Sequence, residues 1–205
     1  MKDIARKGKG NMEKELILLQ PLLSILPDTP DYRRWESEIM DYRREFLEKG
    51  DTINGSRGLH HYEDIAGWLE QLRDCTYDNN SYIGVPVTTF LALEKGNTQQ
   101  EGPGYVVGNI ELRHRLNPAL EELGGHIGYS VRPCERGNGY ASWMLSKVLA
   151  IARSLGLERV MLDCDGDNTA SLKTILKCGG VFDRDTISDY QGKKIWNRHF
   201  WISLT

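Results

Sequence analysis

Cysteine is scarce and scattered in this chain. The four among 205 residues (Cys75, Cys134, Cys164 and Cys178) lie far apart and never as a C-x-x-C pair. That spacing argues against a disulfide framework and a cysteine-ligated zinc site, and it fits the reduced thiols of a cytoplasmic protein. Neither sign of charge is in excess, since 26 basic against 29 acidic residues leave a net charge of -3. A chain without a basic surplus is not built to coat nucleic acid or an anionic membrane surface. Long apolar runs are missing too. "LILLQPLLSIL" is broken by Gln20 and Pro21 and is too short to span a bilayer. After the basic "MKDIARKGKGN" it imitates a secretory signal, but Glu13, Lys14 and Glu15 interrupt the transition and no small-x-small cleavage site follows. Residues 1–11 read as a loose leader, with Met12 as an alternative start, and "ELILLQP" as a first strand. No internal repeat, low-complexity tract or interdomain linker divides the rest. Residues 12–205 therefore read as a single domain, of ordinary globular composition.

Periodicity supplies the elements. "DYRRWESEIMDYRREFLEKG" places Tyr32, Trp35, Ile39, Tyr42 and Phe46 at helical spacing and stops at Gly50. "GLHHYEDIAGWLEQLRDC" repeats the pattern from Leu59 through Tyr62, Ile65, Trp68 and Leu69 to Leu72 and predicts a second helix. "TTFLALEKG" and "YVVGNIELRHRL" predict a hairpin joined by "NTQQEGPG". The glycines of "GGHIGYSV" predict a strand with a bulge or a close approach by another backbone. A helix follows over Ala141, Met144, Leu145, Val148, Ala152 and Leu155 and ends at Gly156. "ERVMLDCD" reads as a strand covered on both faces. Asn168 is placed to cap the helix "TASLKTILKC". "VFDRDTI", a turn at "DYQGKK" and "IWNRHFWISL" close the chain as a hairpin. The fold class is α+β, with one central strand–loop–helix–strand unit.

The loop of that unit, "SVRPCERGNGYASWML", concentrates glycine and arginine where a strand hands over to a helix. The amides from Gly137 to Ser142 fall at a helix start, where N–H groups lack partners and the dipole is positive. Gly137 and Gly139 bare the backbone, and Arg132 and Arg136 add positive charge. Two readings follow: an anion site for a phosphate, or a strand-to-helix turn that needs glycine for its dihedrals. A P-loop is excluded because G-x-x-x-x-G-K-[ST] is absent. A dinucleotide fingerprint fails at Ser142, where its third glycine should stand.

The stretch Arg136-Gly137-Asn138-Gly139-Tyr140-Ala141 matches [QR]-x-x-G-x-[GA]. It resembles the acetyl-CoA pyrophosphate loop of the GNAT superfamily of N-acetyltransferases. "HIGYSVRP" resembles that family's fourth strand, and "NTASLKTILKCGG" its downstream asparagine helix. The order of elements agrees along residues 12–205. "LRHRLN" and "GGHIGYSVRP" are similar to a bacterial subgroup of predicted acetyltransferases. The resemblance implies a twisted, mostly antiparallel sheet with a splayed central parallel strand pair flanked by helices. It implies acetyl-CoA as co-substrate without a metal, direct attack by a primary amine of a small molecule or peptide in a ternary complex, and a homodimer as a frequent form. Backbone groups of Tyr129, Ser130 and Val131 would pair with the pantetheine arm, with the Val131 N–H as oxyanion donor. Arg136, Gly137, Asn138, Gly139, Tyr140, Ala141 and Ser142 would hold the pyrophosphate, and Asn168 would touch the cofactor near the pantetheine end. The family's thiolate-protonating tyrosine would fall at Ile175, which cannot give a proton. That departure keeps a non-catalytic acyl-CoA sensor or scaffold as the alternative. A nucleotide-dependent oxidoreductase is a third, weaker reading. As base, the candidates are His126, Asp163 and Glu111, each of which could instead be a hydrogen-bonded strand residue. His126 is favoured because an ordinary histidine titrates near working pH and because flanking glycines would leave room for a water relay. Arg113 and His114 are expected to orient a substrate or loop. The acceptor's identity is not encoded in any motif.

Overall fold

A computed structural model describes residues 15–76, 84–95, 104–190 and 192–205. The leader, the candidate start at Met12, most of the "NTQQEGPG" turn and Gln191 lie outside them. The elements run β1 (Glu15–Leu19), α1 (Pro21–Ser24), α2 (Tyr32–Lys49), α3 (Ile65–Thr76), β2 (Val87–Lys95), β3 (Tyr105–Arg113), α4 (Pro118–Glu122), β4 (Ile127–Val131), α5 (Tyr140–Ser154), β5 (Arg159–Asp165), α6 (Thr169–Lys177), β6 (Val181–Tyr190) and β7 (Lys193–Ser203). They form two antiparallel sheets, ordered β1-β2-β3-β4 and β5-β7-β6. β4 is an edge of the first sheet and β5 of the second.

Two cores sandwich the larger sheet. Phe90, Ala92, Val107 and Ile110 face Met144, Leu145 and Val148 of α5. Leu91, Leu93 and Val106 face Trp35, Ile39 and Phe46 of α2 and Trp68 of α3. Cover on both faces explains why "FLAL" is continuously apolar instead of alternating. α2 buries Trp35, Ile39, Tyr42 and Phe46 and ends at Gly50 with φ +66°, a conformation glycine adopts without a steric penalty.

The second helix is shorter than its periodicity predicts. Leu59–His61 form a single 3-10 turn, Tyr62 is extended, and α3 begins only at Ile65. Asp64 accepts the Gly67 N–H at 3.1 Å, a side-chain cap that restarts the helix. Leu59 is still fully buried, so its spacing reports the core and not the helix. Two short helices were not expected: α1, and α4, where Asn117 caps the Leu120 N–H at 3.0 Å and Pro118 takes the first position.

β4 and β5 touch at one point. The His126 N–H donates to the Met161 carbonyl at 2.7 Å and the Met161 N–H donates to His126 Nδ1 at 2.9 Å. Beyond it the two strands share no ladder, which leaves a splay between the sheets. Their link through α5 and the core around Ile127 and Leu162 holds the sheets together.

Candidate active site

The splay is lined by backbone. Arg132 N–H donates to the Val107 carbonyl and Arg113 N–H to the His126 carbonyl, so even-numbered residues of β4 pair with β3. By alternation the N–H and C=O of Ile127, Tyr129 and Val131 point into the splay. Tyr129 and Val131 are thus turned toward the splay by their backbone groups. Ser130 is not, because its backbone faces β3 and its side chain is buried. After β4 the chain reaches Gly137 and Gly139 at φ +88° and +85°, and a Cβ at either would meet nothing within 4 Å. α5 closes its first ring with Trp143 N–H to the Gly139 carbonyl at 3.1 Å. The amides of Tyr140, Ala141 and Ser142 precede it, where a helix leaves donors unmatched. An open groove of about 460 Å³ starts at Gly139 and Ser142 and runs past Trp143 and Ser146 to Lys177 and Cys178. Glycine-bared amides opening on a groove fit a pyrophosphate.

The cations around this loop are not those expected. Arg132 is buried under Tyr105, its guanidinium carbon 4.1 Å from the ring centre, and reaches Glu38 at 2.9 Å and Asp41 at 3.1 Å. It is a strut between β4 and α2, not a phosphate ligand. Arg136 is half exposed and pairs with Asp51 at 2.8 Å. Asn138 donates to Glu135 at 3.1 Å. Lys177, which the sequence reading passed over, is the cation lining the groove. Asn168 does cap α6, accepting the Ser171 N–H at 3.0 Å. Ile175 is fully buried, and its side chain packs where a Cβ on Gly180 would overlap it. The phenol near the splay is instead Tyr129, whose OH lies 2.8 Å from Ser171 Oγ. Burial pushes its pKa up to about 12, so it stays protonated at working pH.

The three base candidates are not brought to one place. Glu111 is fully buried, with Oε2 accepting Arg57 Nε at 2.7 Å, Oε1 accepting Arg57 Nη2 at 3.1 Å, and Arg113 Nη2 also on Oε1. That geometry commits it to two guanidiniums. Arg113 goes on to the Gly124 and Gly125 carbonyls, and His114 Nε2 lies 2.8 Å from Thr88 Oγ1. Asp163 Oδ2 accepts the Gly124 N–H at 2.8 Å, and its carboxylate is half-buried. His126 does not keep the ordinary value that favoured it. Burial first, then the charge of Arg113, lowers its pKa to about 4, against the opposing Met161 bond. Nor do the neighbouring glycines leave room for water. A Cβ on Gly125 would lie 2.5 Å from the Met161 carbonyl oxygen, and Gly128 lies against the Gly55 backbone. The close approach of another backbone is the reason for both glycines.

The lowered value sets the sign of a pH effect. His126 is neutral in the fold, while the unfolded chain binds a proton near pH 6.5. Stability is therefore full above pH 6.5 and falls as pH drops toward 4. The loss from this one residue is about 3 kcal/mol by pH 4. Urea unfolding of wild type and His126→Gln checks it: their difference should shrink between pH 7 and pH 4, and a constant difference would refute the assignment.

A sequence profile for the acetyltransferase (GNAT) domain matches residues 27–181. The chain belongs to the GNAT acetyltransferases. It is an acetyl-CoA-dependent acyltransferase. No curated protein sequence matches it. Among solved structures, a dodecameric spermidine N-acetyltransferase from Vibrio cholerae is 15% identical with a TM-score of 0.58, over 92% of this chain and 94% of that one. A proposed phosphinothricin N-acetyltransferase is 17% identical with a TM-score of 0.53, over 93% and 99%. Both share the fold of this acetyltransferase. Among its described residues no helix is long and apolar enough to cross a membrane, and no group of three or more His, Cys, Asp or Glu is placed to hold a metal ion.

Proposed function

We propose that this acetyltransferase transfers the acetyl group of acetyl-CoA to a primary amine of a small molecule, by direct attack in a ternary complex. The observation that carries the reading is the splay itself: β4 turns the backbone groups of Tyr129 and Val131 toward β5 and leads into glycine-bared amides. The pantetheine arm would add to β4 as a strand does, with its pyrophosphate on the amides of 137–142 and Lys177 beside it. The thioester carbonyl would face the Val131 N–H, a fixed donor for the developing oxyanion. The Tyr129 phenol supports turnover over a sensor, since it supplies a donor near the splay despite the apolar residue at 175. A small amine as acceptor agrees with the spermidine and phosphinothricin acetyltransferases of like fold. We further propose a homodimer as the form in solution, which light scattering would test.

Gly139→Asp tests the cofactor site. It places a side chain at φ +85° and a negative charge where the pyrophosphate sits, so acetyl-CoA affinity should fall at least about tenfold, or 1.4 kcal/mol. Calorimetry on the folded variant measures this, and unchanged affinity would remove the assignment. Thiol release with a panel of amines that includes spermidine separates enzyme from sensor. A protein that binds acetyl-CoA tightly and acetylates none of them is a sensor.

A further inference from the structure

The β5-β7-β6 sheet turns Leu162 and Phe200 to the core and a polar face to the other side. By register and alternation that face carries Asp163 of β5, His199 and Asn197 of β7, and Thr186 of β6. It continues the face bearing Glu111 and Arg113, because Arg113 holds the Gly124 carbonyl while the Gly124 N–H holds Asp163. His199 is fully buried here. Its Nε2 lies 2.7 Å from Thr186 Oγ1. Its Nδ1 is buried with no hydrogen-bond partner among the described residues. Folds avoid such an orphaned nitrogen, and one that persists asks for an explanation. Directly across the ladder stands Asp163, close enough for the two side chains to interact. One of its oxygens is held by Gly124 and the other is not engaged by that bond.

Resting on the acetyl-transfer reading above, we propose that Asp163 and His199 form the proton-accepting pair of this enzyme, with Asp163 meeting the acceptor amine and His199 acting behind it. As the amine nitrogen bonds to the acetyl carbon, the C–S bond breaks and its electron pair leaves on the CoA sulfur. The nitrogen's surplus proton passes to Asp163 and on to His199 Nδ1. The thiolate takes its proton from the Tyr129 phenol, which regains one from solvent, and the imidazolium later returns its own to solvent. His199 is thus a positioning and relay residue, and Asp163 the group that touches substrate. Across the ladders the imidazole meets Asp163 of β5 and Arg184 of β6, and the charges of Asp183 and Asp185 also act on it. Burial lowers its pKa below 6.5, with Asp163 opposing that shift and Arg184 adding to it. The ring is therefore neutral at pH 7 and free to receive a proton.

Two measurements on the full chain decide the pair. Nitrogen-detected NMR should find the His199 ring titrating below pH 6.5, and lower still in Asp163→Asn, where the charge favouring the imidazolium is gone. This arm needs no acceptor. With spermidine as the probe amine, turnover should fall about 100-fold or more in Asp163→Asn and in His199→Gln, the usual contribution of a positioned base. The double variant should lose little beyond either single one. Acetyl-CoA affinity should stay within about twofold in all of them, which separates failure of the pair from failure of the cofactor site. Thr186→Val keeps the imidazole but removes its Nε2 partner, and it should move both the ring's titration and the acidic limb of turnover even if His199→Gln does not fold. A His199 midpoint indifferent to Asp163→Asn overturns the pairing. Turnover of folded His199→Gln within about tenfold of wild type overturns the proton transfer.

Discussion

Glu111→Ala should cost about 3–5 kcal/mol, the usual penalty for breaking a buried ion pair from one side. The size follows from what is left behind. Arg57 and Arg113 are both buried and share this one carboxylate. Without it two guanidiniums lie inside the fold with this shared carboxylate gone, and neither can reach water without moving the 53–58 loop or the chain at Gly124. A domain stable by roughly 5–15 kcal/mol would lose a large part of its margin. Urea unfolding gives the number, and soluble yield should drop with it. Activity should fall only as the folded fraction falls. A Glu111→Ala protein that keeps its stability within about 1 kcal/mol but has lost turnover would show that Glu111 works in the chemistry instead.

Gly55→Ala should be nearly as damaging, for a steric reason. Gly55 sits at φ +72°, and a Cβ there would overlap the carbonyl oxygen of Gly128 on β4. The left-handed backbone costs a residue with a Cβ roughly 1–2 kcal/mol, and overpacking adds about 1–3 kcal/mol. For a domain near 200 residues this corresponds to a Tm lower by roughly 10 °C. The loop cannot simply lift, because its neighbours are tied on both sides: Asn109 Nδ2 donates to the Asn54 carbonyl at 2.8 Å and Trp68 Nε1 to the Ser56 carbonyl at 2.7 Å. The displaced loop covers β4 on the face opposite the α5 groove. Amine turnover should therefore suffer more than acetyl-CoA binding. Equal Tm values for the two proteins would mean that the loop has slack which these bonds deny it.

The strand, loop and helices proposed to hold the cofactor were legible as elements because their signals are local. A glycine at a helix start, a strand before it and an asparagine cap after it are each decided within a few residues, and Gly139, Tyr140 and Asn168 stand where their neighbours in sequence put them. The closing hairpin and the hairpin of β2 and β3 were legible for the same reason. What failed was what only the third dimension decides. Arg132 and Arg136 read as positive charge for a phosphate until α2 brings Glu38 and Asp41, and the turn after it Asp51, against them. Glu111 reads either as a candidate base or as a hydrogen-bonded strand residue until Arg57 arrives from 54 positions away. His126 reads as an ordinary histidine until β5 covers it. His199 carried no signal at all, since a lone histidine in a strand is unremarkable until its register partner is known. Even Leu59 and Tyr62, which continue the helical period, sit outside α3, because a burial pattern can outlast the element that it suggests.

Each sheet also has an outer edge, and that of β6 bears on how the protein behaves in concentrated solution. An open edge strand is a template for pairing with a second chain. β6 exposes Val181, Phe182 and Ile187, side chains that would favour such growth. Between them stand Asp183, Arg184 and Asp185, three consecutive charges, with a break in the ladder register between Phe182 and Arg184. Charges and a bulge on an edge are the usual obstacles to strand addition. The β6 sequence thus keeps its apolar residues apart with a charged triplet whose Arg184 also donates to the Glu121 carbonyl at 2.8 Å, so solubility at this edge depends on that one short triplet.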